Sequence, residues 1–131
     1  MTSFLSPLLR ARGSSLALTN TRTNHIVATT LLPAFDSASR RRGLLTRDSL
    51  PADVALIIAP SNAIHTFSMR FAIDVAFVSR DGRVIKVSRS VVPWRVAAAW
   101  RAFAVIEMAA GAFETSETGP GDLLQVKTLD F

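Results

Sequence analysis

The sequence feature that most constrains the fold is a pair of apolar runs on either side of an Asp-Gly dipeptide. Residues 73–78 form the first run, Asp81 and Gly82 the dipeptide, and residues 84–87 the second run. β-Branched and aromatic residues flanking Asp-Gly are a strong short-range signal for a β-hairpin, because glycine takes the positive φ that a tight turn requires. The sequence therefore predicts a central antiparallel hairpin with Gly82 at positive φ.

Short apolar segments separated by turn residues occupy most of the remaining chain. Asp36 or Ser37 is suited to begin a helix that runs to about Leu45, and residues 113–118 are long enough for one helical turn. The other segments predict strands over residues 16–19, 26–32, 54–59, 104–108 and 123–127. Many strands with only one or two short helices predict a mainly β fold, an antiparallel sandwich or small barrel.

The length of 131 residues predicts one domain over residues 16–131, after a flexible tail over residues 1–15. No apolar run approaches the ~20 residues of a membrane span, so we expect a soluble protein. The first fifteen residues are rich in Ser and Arg and lack acids, and an organellar targeting segment is the alternative to a tail. Arg10 and Arg12 follow the short apolar run, the reverse of a secretory signal, so the expected compartment is the cytoplasm.

The sequence contains no cysteine, which excludes disulfides, thiolate metal sites and a cysteine nucleophile. His65 and Met69 would share a face if one strand ran unbroken from His65 to Ile73, and together they could bind a soft metal. Two ligands without a second nearby histidine do not complete a site. We therefore expect no metal and no cofactor.

Asp74 interrupts the apolar run of the first hairpin strand, where an unpaired carboxylate would be costly to bury. A charge-assisted bond from an arginine would satisfy it. The candidate partners are Arg42, Arg47 and Arg70, and the sequence predicts a structural ion pair between Asp74 and one of them.

Asp74 also allows a catalytic interpretation. Paired with Glu107, it could perform general acid and base chemistry, with His65 as a third group. Ser61 or Ser68 could act as a nucleophile beside His65 and Asp74, although neither serine lies in a Gly-x-Ser-x-Gly elbow. This interpretation predicts a hydrolytic or carbohydrate-active enzyme.

The formal net charge of +5 favours anionic partners, and Arg40, Arg41, Arg42 and Arg47 form the main cationic cluster. Three consecutive helical residues point in three directions, so we expect at most two of the first three to share a face with Arg47. The cluster predicts only nonspecific, salt-sensitive binding to nucleic acid or an anionic surface.

Trp94 and Trp100 are each followed by an arginine, Arg95 and Arg101. Such pairs either form stacking platforms for a ligand or base, or close one end of a sandwich.

A series of short motifs runs in order along the chain: Arg42-Gly43-Leu44-Leu45-x-Arg47, Pro60, His65-Thr66-Phe67-x-Met69-Arg70-Phe71-x-Ile73-Asp74-Val75-x-Phe77, Asp81-Gly82-Arg83-Val84, Pro93-Trp94-Arg95, Ile106-Glu107-x-x-x-Gly111 and Gly121-Asp122-x-Leu124. From about Leu16 to Val126 this order resembles one family, the domain of unknown function numbered one hundred and ninety-two, found in small bacterial and archaeal proteins. The resemblance implies a compact sandwich or jelly-roll-like domain and no established activity. Relatives often carry a cysteine where this chain has Ser61, so the resemblance implies that any role of that thiol is absent or altered here.

The first functional hypothesis is a noncatalytic β-sandwich module that binds a small ligand or peptide at the end carrying His65, Arg70, Trp94 and Arg95. The enzyme based on Asp74, Glu107 and His65 is the alternative, and the binder of nucleic acid or anionic surfaces is the third.

Overall fold

The computed structural model describes residues 2–10 and 15–129. These residues contain ten strands and three short helices. The helices are α1 (Ser6–Arg10), α2 (Ser37–Arg42) and α3 (Ala112–Thr115). The strands are β1 (Leu16–Asn20), β2 (Ile26–Ala28), β3 (Thr30–Ala34), β4 (Val54–Ile58), β5 (Ala63–His65), β6 (Ile73–Val78), β7 (Val84–Val91), β8 (Val96–Ala98), β9 (Ala104–Ala109) and β10 (Leu124–Thr128).

The strands form three sheets, and the predicted mainly β class is confirmed. A five-stranded sheet has the order β3-β4-β9-β6-β7, a three-stranded sheet has the order β10-β1-β2, and β5 pairs with β8. The pair β3 and β4 is parallel, and α2 lies in the connection between the two strands, as a parallel pair requires. The single strand predicted over residues 26–32 is divided at Thr29 into β2 and β3, which belong to different sheets.

The five-stranded sheet is covered on both faces, which explains why β4 and β6 lack the alternation of a half-exposed strand. One face packs against the three-stranded sheet in a core that includes Leu18, Val27, Val126, Ile57, Ile106 and Met108. The other face packs against the segment after α2 and the β5–β8 ribbon, in a core that includes Leu44, Ile64, Met69, Val75, Phe77 and Val105.

The predicted central hairpin is β6 and β7, and Gly82 in its turn has a φ of +97°. The turn packs beneath β10: an added Cβ at Gly82 would lie 2.3 Å from the carbonyl oxygen of Leu124. A β-bridge between Arg83 and Leu123 continues this contact. The hairpin turn therefore touches the backbone of the three-stranded sheet directly.

Helix α2 begins where the sequence predicts but ends at Arg42, three residues before the predicted end at about Leu45. The Asp36 side chain accepts a hydrogen bond from the backbone N–H of Ser39 at 2.8 Å, which caps the first turn. Gly43, with a φ of +46°, ends the helix. The chain from Gly43 to Leu45 then turns toward the sheet, and Leu44 is buried in its core.

Residues 2–10 contact the domain, which the prediction of a flexible tail over residues 1–15 did not include. Leu5 is buried in the core, and the backbone N–H of Phe4 donates to the carbonyl of Arg80 at 2.9 Å. Residues 11–14 of the predicted tail lie outside the described residues. None of the described helices is both long and apolar enough to cross a membrane.

A buried polar cluster joins the end of β1 to the turn before β10. Asp122 accepts from Arg22 Nε at 2.7 Å, from Asn20 Nδ2 at 2.9 Å and from the Gly119 backbone N–H at 3.0 Å. The bond from Arg22 is the main reason that the pKa of Asp122 is lowered to about 2. The cluster therefore stays charged and paired at neutral pH.

Candidate functional site

An open cleft of about 450 Å³ lies between α2 and the end of the five-stranded sheet. One wall consists of Arg40, Arg41 and Arg42 with the segment that follows α2. The residues that line the rest of the cleft include Pro60, Ser61, Ala63, Ile64, His65, Met69 and Glu107. Residues distant in sequence meet here because α2 and β5 each connect to strands of the same sheet.

Glu107 is the buried ionisable group of this cleft. It lies in β9 opposite Leu56 of β4 and Val75 of β6, and its side chain is only 4% exposed. Its Oε2 atom is fully buried and has no hydrogen-bond partner among the described residues. Burial raises the pKa of Glu107 to about 7, so both protonation states are populated at neutral pH.

This pKa makes the free energy of unfolding depend on pH. Because the folded-state pKa of about 7 lies above the ordinary 4.5, the folded state binds more protons between these values, and stability falls as pH rises. A glutamine cannot ionise. We expect the stability of Glu107→Gln, relative to wild type, to rise by up to about 3 kcal/mol between pH 5 and pH 9, measured by chemical denaturation.

The matched control is Glu114→Gln, at an exposed position on α3. Its stability relative to wild type should not change over the same pH range. If the unfolding free energies of wild type and Glu107→Gln depended on pH in the same way, the raised pKa of the buried Glu107 carboxyl group would be contradicted.

The α2 arginines supply positive charge at the rim of the cleft. Arg40 Nη1 donates to the carbonyl of Phe35 at 2.7 Å, and Arg41 Nε donates to the carbonyl of Ser37 at 3.3 Å. Neither salt bridge found in the described residues involves them. Arg40, Arg41 and Arg42 all line this cleft, whereas Arg47, the fourth residue of the predicted cationic cluster, does not.

Three aromatic rings, those of His65, Phe67 and Trp94, stack in a row that begins at the cleft, and this row is called the aromatic file below. The His65 imidazole stacks on Phe67 with ring centroids 5.0 Å apart, and Phe67 stacks on Trp94 at 5.8 Å. The interplanar angles are 28° and 24°. Phe67 and Trp94 are 42% and 63% exposed, so the file presents apolar surface to solvent beside the cleft.

Thr66 holds the two segments that carry this file. Its hydroxyl donates to the carbonyl of Val92 at 2.7 Å and accepts from the backbone N–H of Arg95 at 2.9 Å. Its own carbonyl accepts from the backbone N–H of Trp94 at 3.0 Å. Thr66 is fully buried, so these bonds set the position of Trp94 relative to Phe67.

The unbroken strand from His65 to Ile73 is not formed. β5 ends at His65 and β6 begins at Ile73, and Ser68 between them has a φ of +64°. His65 is exposed while Met69 is buried in the core, although both line the cleft. Among the described residues, no three His, Asp or Glu side chains come together as a metal site would require.

The ion pair predicted for Asp74 was wrong, because backbone amides take the place of an arginine. Asp74 is fully buried, and its Oδ1 accepts from the Ser90 N–H at 2.8 Å. Its Oδ2 accepts from the N–H groups of Gly111 and Phe113, at 3.1 and 3.2 Å. The carboxylate thus joins β6 to an irregularity in β7 and to the start of α3.

The expected partners Arg42, Arg47 and Arg70 lie elsewhere. Arg70 pairs with Asp48 in an exposed salt bridge. Arg42 and Arg47 line a smaller hollow of about 240 Å³, and Arg42 also lines the cleft. Amide donors can replace an arginine because a carboxylate accepts several N–H bonds, and sequence spacing does not reveal which loop amides are free.

Asp74 and Glu107 do not form a carboxylate pair. In the register of β6 and β9, Asp74 lies opposite Met108, whereas Glu107 lies opposite Val75. Residues directly opposite share a face, so the two carboxyl groups project from opposite faces of the sheet. The structure brings Glu107, His65 and Ser61 to one cleft and leaves Asp74 on the far side.

The structure does not bring together all four predicted ligand-binding residues, His65, Arg70, Trp94 and Arg95. His65 and Trp94 are connected through Phe67, which was not among the predicted ligand-binding residues. Arg95 lies beside Trp94, where its Nη1 donates to the Trp94 carbonyl at 3.2 Å. Residues two apart in an extended strand share a face, so alternation places Phe67 beside His65. It does not show that Trp94, which is distant in sequence, stacks on Phe67.

A second hollow, of about 670 Å³, lies between β2 and α3. Its wall carries two ionisable side chains, His25 and Asp53, and both are exposed. Asp53 accepts a hydrogen bond from the Thr29 hydroxyl at 2.9 Å. This hollow is larger than the cleft beside α2 but has no buried unpartnered polar atom among its described lining residues.

Comparison with known proteins gives a family and a fold. The family model DUF192, described as Uncharacterized ACR, matches residues 18–126. A protein of unknown function from Novosphingobium aromaticivorans DSM 12444 is similar in structure, with a TM-score of 0.73, 24% identity, and coverage of 85% of this chain and 83% of that chain. A putative transcription regulator from Sinorhizobium meliloti 1021 has a TM-score of 0.74, 18% identity, and coverage of 88% and 98%. No curated protein matches the chain.

Proposed function

This chain belongs to the DUF192 family, and we propose that its β-sandwich is a binding module whose small ligand lies in the α2 cleft against Glu107. The observation that carries the proposal is the buried carboxyl oxygen without a partner in the wall of an open cleft. A buried polar atom left unpaired costs roughly 1–3 kcal/mol. Glu107 lines the cleft and keeps 4% of its surface exposed, so a ligand that contacts its carboxyl group and shifts the cleft wall enough to reach Oε2 would remove this cost.

The cleft also has the composition of a ligand site. Its volume of about 450 Å³ falls in the usual range for small-molecule sites. Apolar residues such as Ile58, Ile64 and Met69 line it together with a few polar groups. Of the set predicted by the sequence, the proposed site keeps His65, with Trp94 stacked behind it through Phe67, and its centre is Glu107.

A blocking variant tests the location of the site. Ala63 lines the cleft and is exposed, so Ala63→Trp would fill the space with little disturbance of the core. Ala110→Trp fills the second hollow in the same way and serves as the matched control. We expect saturation-transfer NMR with a panel of sugars, amino acids, nucleotides and carboxylic acids to detect binding that Ala63→Trp abolishes. Binding abolished by Ala110→Trp instead, or no binding at all, would overturn the proposal.

A second candidate function is hydrolysis with Glu107 as general acid or base. The observation that favours it is the pKa of about 7, because an acid–base catalyst works best when its pKa lies near the working pH. His65 lines the same cleft, whereas Asp74 does not belong to it. Turnover of aryl esters or glycosides that falls at least ~100-fold in Glu107→Gln would establish this function.

A further inference from the structure

The positive wall of the cleft is suited to a multiply charged anion. Arg40, Arg41 and Arg42 all line the cleft, and no carboxylate pairs with them among the described residues. Arg40 and Arg41 each donate to a backbone carbonyl near the start of α2, and Arg40 Nη2 also donates to Ser37 Oγ at 3.5 Å. The other guanidinium N–H groups of these two arginines have no partner among the described residues. Guanidinium groups bind phosphate through paired hydrogen bonds, so a phosphate fits this wall.

An aromatic ring also lines the cleft. The His65 imidazole lines the cleft, and Phe67 covers one of its faces at a centroid distance of 5.0 Å. Trp94 backs Phe67 in turn, and Thr66 holds the two segments together. A planar ring that enters the cleft can add to this file, because stacking on aromatic side chains is favourable for every nucleobase.

We infer that the cleft binds a nucleotide, a phosphorylated planar heterocycle whose phosphate contacts the α2 arginines, whose ring stacks on His65, and whose polar edge bonds Glu107. This inference rests on the proposed binding function and adds the chemical class of the ligand. The three contacts come from α2, from β5 and from β9, and residues of all three elements line the cleft.

The inference predicts linkage between binding and protonation. The charged or titratable groups around Glu107 in the cleft are the three α2 arginines and His65, while β4 and β6 contribute the apolar Leu56 and Val75. An anionic ligand disfavours the ionised carboxylate. Above pH 7 the affinity of wild type should therefore fall as pH rises, whereas the affinity of Glu107→Gln should stay level.

Calorimetric titration with AMP, adenosine and inorganic phosphate at pH 7 tests the class of ligand. We expect AMP to bind at least ~10-fold more tightly than adenosine or inorganic phosphate, because AMP makes both the stacking contact and the phosphate contact. Arg42→Ala should weaken AMP binding by ~10-fold, and Arg101→Ala, an exposed arginine that lies over Trp100, should change it less than ~2-fold. His65→Ala should weaken AMP but not phosphate, and His65→Phe should restore the affinity.

Three results would overturn the inference. Equal affinity for adenosine and AMP would mean that the α2 arginines do not bind the phosphate. A single-stranded oligonucleotide that binds more than ~10-fold tighter than AMP would assign the surface to a polymer. A sugar or dicarboxylate that binds in an Ala63→Trp-sensitive way, while AMP does not bind, would refute the nucleotide and leave the proposed binding function standing.

Discussion

The Gly82→Ala variant is expected to lose at least about 3 kcal/mol of unfolding free energy, because it combines backbone strain with a backbone collision. Gly82 has a φ of +97°, a conformation that L residues rarely adopt. Its added Cβ would lie 2.3 Å from the Leu124 carbonyl oxygen, so the hairpin turn or β10 must move. Chemical denaturation of the purified variant measures the loss.

Gly121→Ala separates the two contributions. Gly121 has a φ of +90°, but nothing lies within 4 Å of its added Cβ. This control should therefore show only the strain, about 1–2 kcal/mol. Equal losses in the two variants would mean that the close approach of β10 to the hairpin turn is wrong.

Asp74→Ala is expected to cost about 3–5 kcal/mol, because three backbone N–H groups lose their acceptor in a buried place. These are the amides of Ser90, Gly111 and Phe113. Asp74→Asn should also be strongly destabilised, since either orientation of the amide points its NH₂ group at a backbone N–H. The measurements are chemical denaturation and hydrogen exchange of the three amides, which should become faster.

Asp48→Ala is the matched control for the loss of a carboxylate. Asp48 is 83% exposed in its salt bridge with Arg70, so its loss should cost less than about 1 kcal/mol. An Asp74→Ala protein as stable as wild type, with unchanged exchange at the three amides, would refute the structural role of Asp74.

The sequence predicts correctly those structural elements that depend on residues close together in the chain. The Asp81-Gly82 turn, the cap at Asp36 and the apolar run of β4 each depend on residues close together in sequence, and the structure has all three. The division of residues 26–32 between two sheets did not follow, because Thr29 gives no turn signal. Pairing with distant strands decides that break, and the sequence does not encode such pairing locally.

The candidate site was predicted in its residues but not in its arrangement. Glu107 and His65 were identified as candidates, and they do share a cleft. Asp74 was grouped with them, yet the register of β6 and β9 directs it to the other face. A shift of one residue in register exchanges the two faces of a strand, so no spacing in sequence could separate Asp74 from Glu107.

The pairing of β1 with β10 has a consequence for the order of folding. β1 is the first strand of the described fold and β10 the last, and they pair from Leu16 with Thr128 to Asn20 with Leu124. Closing so long a loop costs chain entropy before any contact compensates for it, and such topologies fold in about milliseconds to seconds. During synthesis β1 has no β10 to pair with until the end of the domain has left the ribosome. The hairpin of β6 and β7 is complete long before that, and β9, which joins it to β4, ends at Ala109, before β10 begins at Leu124. The five-stranded sheet is therefore the part of the molecule able to form first.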